Sequence, residues 1–314
     1  MVLHRMIESG VPDYRIVPYS PWLTLFPLVL PKLIRCIPCR LIHTTPDYGL
    51  FFHRPKVPLV LTIFHYMGDR EIRPYSSFLQ QIHYATDLKW FIRKSIEKCT
   101  VLTSISHYSA RHTRNELKLN QDVRVIYCGI DVKRFCPDRR RGKALPVRVL
   151  FSGNLTLRKG AHWLPAIAAG LDPGIIVQHT SGLRRTQLRP QGCNLVDVGR
   201  VTWQDMPDLY RSNDILVSPT VREGFGLAIA EAMACGLPVV ASNCSAVPEL
   251  IDDGKGGFLC PVGDVKAFAE RINLLAQAPE LRHQMGEYNR AKVEKMFTVD
   301  RMISEYRELF ESLL

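Results

Sequence analysis

The chain has 314 residues, 46% of them apolar and 23% charged, enough for two hydrophobic cores, since single cores rarely grow past about 250–300 residues. With 20 glycines and 21 prolines it is neither disordered nor collagen-like nor of low complexity. The net charge of +11 is uneven: residues 1–150 carry 24 Lys and Arg against 11 Asp and Glu, whereas residues 151–314 carry 17 against 19. The basic half suits an anionic surface such as nucleic acid, an acidic lipid leaflet or a phosphorylated acceptor, or it is simply solvated.

In chain order, the first apolar run is 22–34, which Pro27, Pro31 and Lys32 interrupt, so it falls short of the roughly 20 residues a bilayer requires. A basic start and a small-residue cleavage site are both missing from the N-terminus, which points to the cytoplasm. Nine scattered cysteines agree with a reducing compartment. Strands are expected at 40–44, 58–64, 101–106 and 123–127, with a long helix over 75–99. Residues 131–146, with Asp138 and the arginines behind it, lack periodicity and read as a solvated linker. Beyond it β-branched runs at 147–152, 174–179, 194–198, 215–219, 238–242 and 257–260 alternate with helical stretches at 160–170, 206–211, 227–235 and 247–251. That alternation predicts a parallel sheet with crossover helices. Helical pattern returns at 265–276, 279–296 and 299–314, the last with an apolar stripe through Met302, Tyr306, Leu309 and Phe310.

Three places combine chemistry with position. The loop after the strand at 215–219 holds Glu223 and two glycines before a helix, so the amides of Phe225, Gly226 and Leu227 face an anion at a helix N-terminus. Glu231, eight positions on, is a two-oxygen acceptor suited to a ribose diol; taken alone, both glutamates also read as ordinary helix carboxylates. Arg158, Lys159 and Gly160 follow the strand at 147–152 and are expected to open the next helix. Cations there oppose the helix dipole, a mismatch that a bound diphosphate would resolve. His65 follows the strand at 58–64, at the carboxyl edge where ligands of open parallel sheets bind. Cys36-Ile-Pro-Cys39 has half-site spacing but no second pair, and no Asp-x-Asp, His-Glu-x-x-His or phosphate-loop Gly-x-x-x-x-Gly-Lys is present, so no metal site is expected.

Glu223-Gly-Phe-Gly-Leu-Ala-Ile-Ala-Glu231, the following Ala-Met-Ala-x-Gly-x-Pro-Val-Val-Ala, Gly153-Asn-Leu-Thr-Leu-Arg-Lys-Gly160 and Gly129-Ile-Asp-Val-Lys-Arg-Phe-Cys-Pro137 resemble the motifs of the retaining glycosyltransferases of family 4, the glycosyl transferases group 1. The resemblance implies an α/β GT-B fold: a Rossmann-like domain over 1–143, a nucleotide-sugar-binding Rossmann-like domain over 144–296 facing it across a cleft, and a final helix over 297–314 returning to the first domain. It implies that Glu231 holds the ribose, that Lys159, Arg158 and the amides at 225–227 hold the diphosphate beside Gly153 and Asn154, and that Arg200 and Val201 touch the base. Glu223 and His65 would contact the donor hexose as the catalytic pair, with no metal and no cofactor. Two departures stand out. Asn154 replaces the family's arginine. No match to the family's N-terminal strand and glycine-rich loop is found, residues 1–50 offering only Ser9-Gly10 and Asp47-Tyr48-Gly49, so the expectation is a naturally short or truncated form whose first domain is incomplete.

The expected activity is transfer of a hexose, with retention, from a nucleoside diphosphate sugar to a glycan, lipid or lipopolysaccharide-type acceptor. Residues 22–42, with Lys32, Arg35 and Arg40, would rest on an anionic membrane face as a peripheral contact. The alternative is a non-catalytic nucleotide-sugar binder. Nucleic-acid binding lacks any accompanying helix-turn-helix, zinc finger or aromatic RNA signature.

Overall fold

The computed structural model describes residues 2–35, 37–64, 87–138, 146–182 and 188–314. His65, Cys36, residues 75–86 of the expected long helix and the arginines at 139–141 lie outside them. Two units emerge, Met1–Gly129 with Val299–Leu314, and Ile130–Thr298. The boundary expected at 143/144 thus falls at 129/130.

In the first unit β1 (Ile42–Thr44), β2 (Leu59–Ile63), β3 (Val101–Ser104) and β4 (Arg124–Val125) form a parallel sheet in that order. All five residues of β2 are buried, the reason its sequence is an apolar run rather than an alternation. The helices of this part are α1 (Val2–Gly10), α2 (Leu30–Ile34), α3 (Asp87–Lys98) and α4 (His107–Leu117). Leu88, Ile92 and Ile96, four apart on α3, pack on Leu59, Leu61 and Leu102. Helix α4 starts at Ser106, whose hydroxyl accepts the Ser109 N–H (3.0 Å). Its weak apolar period hid it from the sequence reading, but that N-cap marks it. The C-terminal helix Val299–Glu311 buries Met302, Tyr306, Leu309 and Phe310, and the Tyr306 hydroxyl lies 3.2 Å from Thr62 Oγ1 on β2.

In the second unit β5 (Val147–Phe151), β6 (Ile175–Thr180), β7 (Leu195–Gly199), β8 (Ile215–Ser218), β9 (Val239–Ser242) and β10 (Gly257–Cys260) form a parallel sheet of order β10-β9-β8-β5-β6-β7. The chain builds outward from β5 through β6 to β7, then crosses to β8 on the other flank, with Val149 paired to Ile215. This is the doubly wound order, and its switch point lies between β5 and β8, where the crossover direction reverses and a crevice opens at the carboxyl ends. Its helices among the described residues are α5 (Leu164–Ala169), α6 (Met206–Arg211), α7 (Leu227–Ala234), α8 (Val247–Leu250), α9 (Val265–Gln277) and α10 (Pro279–Met296); the C-terminal helix, part of the first unit, is α11.

Two expectations need correction. The helix expected from 160 begins only at Leu164, after two 3-10 turns, Leu157–Lys159 and Ala161–Trp163. Gly160 sits between them at φ +73°, with a Cβ site 1.9 Å from the Pro219 carbonyl oxygen, so a close approach of two loops interrupts the helix. Arg158 and Lys159 therefore do not oppose a helix dipole. Secondly, residues 130–137 are no free linker. Asp131 closes a turn onto the N–H groups of Lys133 and Arg134, Phe135 is buried against Tyr210, and Arg290 donates to the Val132 and Phe135 carbonyls. Ile130 N–H also donates to the Phe297 carbonyl (2.7 Å), joining the unit's two ends.

Candidate functional site

Both informative loops of the second unit leave the sheet at its switch point, one after β5 and one after β8, because β5 and β8 are hydrogen-bonded neighbours. They are laced together. The Arg158 carbonyl accepts the Val221 N–H (2.9 Å) and the Thr220 hydroxyl (3.2 Å), while Arg158 Nη1 donates to the Arg222 carbonyl (2.8 Å). One end of the Arg158 guanidinium thus braces the loop that carries Glu223.

Lys159 Nζ forms an ion pair with Glu223 Oε1, the two side chains being 20% and 10% exposed. The Glu223 N–H donates to Ser245 Oγ (2.8 Å), so the segment after β9 fixes the loop from its other side. Arg222 is buried, and that burial lowers its guanidinium to about 10.

After Glu223 the chain turns through Gly226 at φ +107° into α7, with no side chain capping the helix. A Cβ in that left-handed conformation would be strained. An eight-residue helix without a side-chain cap presents its first N–H groups and the positive end of its dipole, the usual environment for a phosphate. The Phe225 side chain points inward, edge-on to Phe297 at 5.5 Å.

Glu231 lies on α7 and accepts the Tyr210 hydroxyl (2.9 Å), which in turn lies 3.1 Å from Ser152 Oγ at the end of β5. Burial pushes the Glu231 carboxyl up to about 7, against the pull of the Tyr210 hydrogen bond. Burial, followed by the neighbouring Glu231 charge, raises the Tyr210 phenol.

On the other flank Gly153 N–H donates to Thr180 Oγ1 and the Thr180 hydroxyl donates to the Gly153 carbonyl, both at 3.0 Å. Arg200 Nε donates to the Gly182 carbonyl (3.3 Å), and Gly182 lies against the Asn154 backbone. The structure therefore connects Gly153, Asn154, Arg158, Lys159, Arg200, Glu223 and Glu231 around one sheet edge, with Val201 following Arg200 at its rim. His65 is outside the described residues; β2, which precedes it, ends at Ile63.

Sequence reasoning missed Tyr210, Thr180, Ser245 and Arg222. Only Arg222, adjoining Glu223, had a signal.

Two family models match the chain: Glycosyltransferase Family 4 over residues 3–134 and Glycosyl transferases group 1 over residues 190–292. The first falls almost wholly in the first unit and the second inside the second unit. The chain belongs to the family 4, group 1 glycosyltransferases. Among the relatives of this family, N-acetyl-alpha-D-glucosaminyl L-malate synthase of Bacillus anthracis is 26% identical over 242 residues, 71% of this chain and 62% of its own. D-inositol 3-phosphate glycosyltransferase of Corynebacterium jeikeium is 33% identical over 218 residues, 61% of this chain and 52% of its own. The chain thus spans about half to three fifths of the curated relatives it matches.

The fold is the GT-B class of paired parallel-sheet α/β units. Sucrose-phosphate synthase of Thermosynechococcus elongatus superposes with a TM-score of 0.79 at 21% identity, over 97% of this chain and 82% of that one. HepE of Anabaena gives 0.75 at 20%, over 94% and 84%.

Proposed function

We propose that the chain transfers a hexose from a nucleoside diphosphate sugar to a glycan, lipid-linked or lipopolysaccharide-type acceptor, with retention and without a metal ion. The observation that carries this reading is the Lys159–Glu223 pair at the switch point, on the loop that turns into the uncapped N-terminus of α7. It is a cation and a row of amides for a diphosphate, with a carboxylate beside them for sugar hydroxyls.

Breaking the bond between the anomeric carbon and the diphosphate oxygen leaves the bonding pair, and hence negative charge, on the phosphate. Lys159 and the amides of Phe225, Gly226 and Leu227 stabilise that charge at the moment it develops. Lysine has three N–H donors, so Lys159 can meet a phosphate while keeping Glu223. Glu231 takes the ribose diol, Arg200 and Val201 border the base, and Gly153 and Asn154 admit the diphosphate from the β5 side. Arg158 holds the Glu223 loop in register. The acceptor oxygen bonds to the anomeric carbon on the face that the phosphate leaves and hands its proton to the departing phosphate, which gives retention. HepE, alike in fold, was solved with UDP and glucose and with UDP-glucose, which supports a nucleotide sugar as donor.

Calorimetry with UDP, GDP, ADP and their glucose conjugates tests the reading. Uptake of at least one, unaffected by chelator, and nucleoside diphosphate release that vanishes in Glu223→Ala are expected. Tight binding with no release would assign the chain to the non-catalytic class, and uptake of none would overturn the proposal. His65→Ala, assayed alongside, tests the role that the family resemblance gives this histidine.

A further inference from the structure

The first unit carries a surface that the donor site does not explain. Residues 14–46 contain no Asp or Glu, and four basic residues, Arg15, Lys32, Arg35 and Arg40, all of them exposed. In this stretch two 3-10 turns, Pro21–Leu25 and Pro27–Val29, run into α2. Each turn starts on a proline, whose fixed φ sets the backbone locally, while Leu30 at the start of α2 is fully buried and anchors the segment. Trp22, Phe26 and Leu28 are 77%, 68% and 81% exposed. Single exposed apolar side chains are ordinary; three large ones within seven residues, presented by proline-set turns, mark a contact surface.

Helix α2 packs on the 3-10 turn Gly49–Phe52, which packs in turn on α3. Tyr19 meets Phe52 at 5.8 Å, and Phe51 meets Phe91 of α3 at 5.1 Å. Beside Phe91 stands Trp90, 53% exposed, with Arg93 exposed one turn along. Tryptophan and tyrosine flanked by Lys and Arg are the composition of a membrane–water interface. No helix among the described residues is long and apolar enough to cross a membrane, so the contact would lie in the headgroup layer. A second copy of the chain would bring the same positive charges against this surface, and like charges oppose that pairing.

We propose that this surface docks the chain on an anionic lipid bilayer, with Trp22, Phe26 and Leu28 set among the headgroups and Lys32, Arg35 and Arg40 on their phosphates. It is independent of the donor reading, because none of these residues belongs to the second unit.

The test is co-sedimentation of the full chain, at physiological salt, with phosphatidylglycerol–phosphatidylcholine vesicles and with phosphatidylcholine vesicles alone. Binding to the mixed vesicles is expected. Changing Trp22→Ser, Phe26→Ser and Leu28→Ser together lowers partitioning about 100-fold. Changing Lys32→Gln, Arg35→Gln and Arg40→Gln together lowers it about 100-fold on the anionic vesicles and hardly at all on the neutral ones. Both variants unfold cooperatively within a few degrees of the parent's melting temperature, confirming that they fold. Absence of the parent from the vesicle pellet, or equal binding by parent and variants, overturns the proposal. So does a concentration-dependent dimer on sizing that the Trp22 variant abolishes, which would give the surface to a second copy instead.

Discussion

Glu231 is expected to make donor affinity fall below neutral pH. Burial holds its carboxyl near 7 rather than the ordinary 4.5, so at pH 6 about nine in ten molecules carry it protonated. In the proposed donor complex ribose hydroxyls donate to the ionised form, so binding must first remove that proton. Affinity for a nucleoside diphosphate sugar then drops about tenfold per pH unit below 7 and levels off at the carboxyl's pKa in the complex. If the ligand returns the group to 4.5, the ceiling is about 300-fold. An intact nucleotide sugar is the right probe, since a free nucleoside diphosphate titrates near pH 6 itself. Calorimetry across about pH 5 to 8 measures the slope. Glu231→Gln should bind more weakly at pH 8 and show no slope. The stability effect runs the other way: this carboxyl is raised in the folded chain, so its contribution is full below 4.5 and is lost as pH climbs through 7. Glu231→Gln should therefore stabilise the chain at pH 8 by up to about 3 kcal/mol and change little at pH 4.5. A flat parent profile, or a slope that survives in Glu231→Gln, would refute the reasoning.

Lys159→Met leaves the nearly buried Glu223 without its cation and removes one charged contact to the diphosphate; affinity by calorimetry should fall about 10- to 100-fold, with a lower melting temperature. Gly160→Ala forces a Cβ onto the Pro219 carbonyl at a positive φ, so urea unfolding should show a loss of about 3 kcal/mol together with weaker nucleotide binding. Arg290 donates to the Val132, Phe135 and Ala234 carbonyls at 2.6–3.0 Å; Arg290→Met should cost about 3 kcal/mol in urea unfolding, and Arg290→Lys should recover only part, because one ammonium cannot reproduce the fork. His43 is buried between Tyr14 (2.9 Å to Nδ1) and Thr62 (2.7 Å to Nε2), and burial keeps it well below 6.5. Its stability contribution is therefore complete above 6.5 and shrinks by about 1.4 kcal/mol per pH unit below that, so amide protection factors in the first unit, which divide out the slower intrinsic exchange at low pH, should fall on acidification before those in the second.

The strands of the second unit were legible because a parallel strand covered on both faces must be a continuous apolar run, and runs such as Ile215–Ser218 and Val239–Ser242 are bounded by Pro, Gly or Asn. The two glycines after Glu223 marked backbone open to an anion, and Lys159, Glu223 and Glu231 stood out as charges inside otherwise small and apolar stretches. The start of α5 misled, because Gly160 answers to Pro219, some sixty residues away, and no local pattern records that contact. Helix α4 escaped for a related reason: its apolar residues are few, and packing on the sheet supplies what its own period does not, whereas α1 carries a clear period, with Leu3, Met6 and Ile7 three and four apart and with Leu3 and Ile7 buried.

The chain by itself determined which residues must be buried, which loops carry phosphate-friendly backbone and which half is basic, since those follow from periodicity, glycine and charge along a line. Only the tertiary structure decided that β5 lies beside β8, and with that neighbour relation came the bracing of Glu223 by Arg158 and Ser245 and the hold of Tyr210 on Glu231. Hydrogen bonds between residues 20 to 65 apart depend on strand order, and strand order is a property of the packed sheet, where each crossover must cover one face before the next strand can be added.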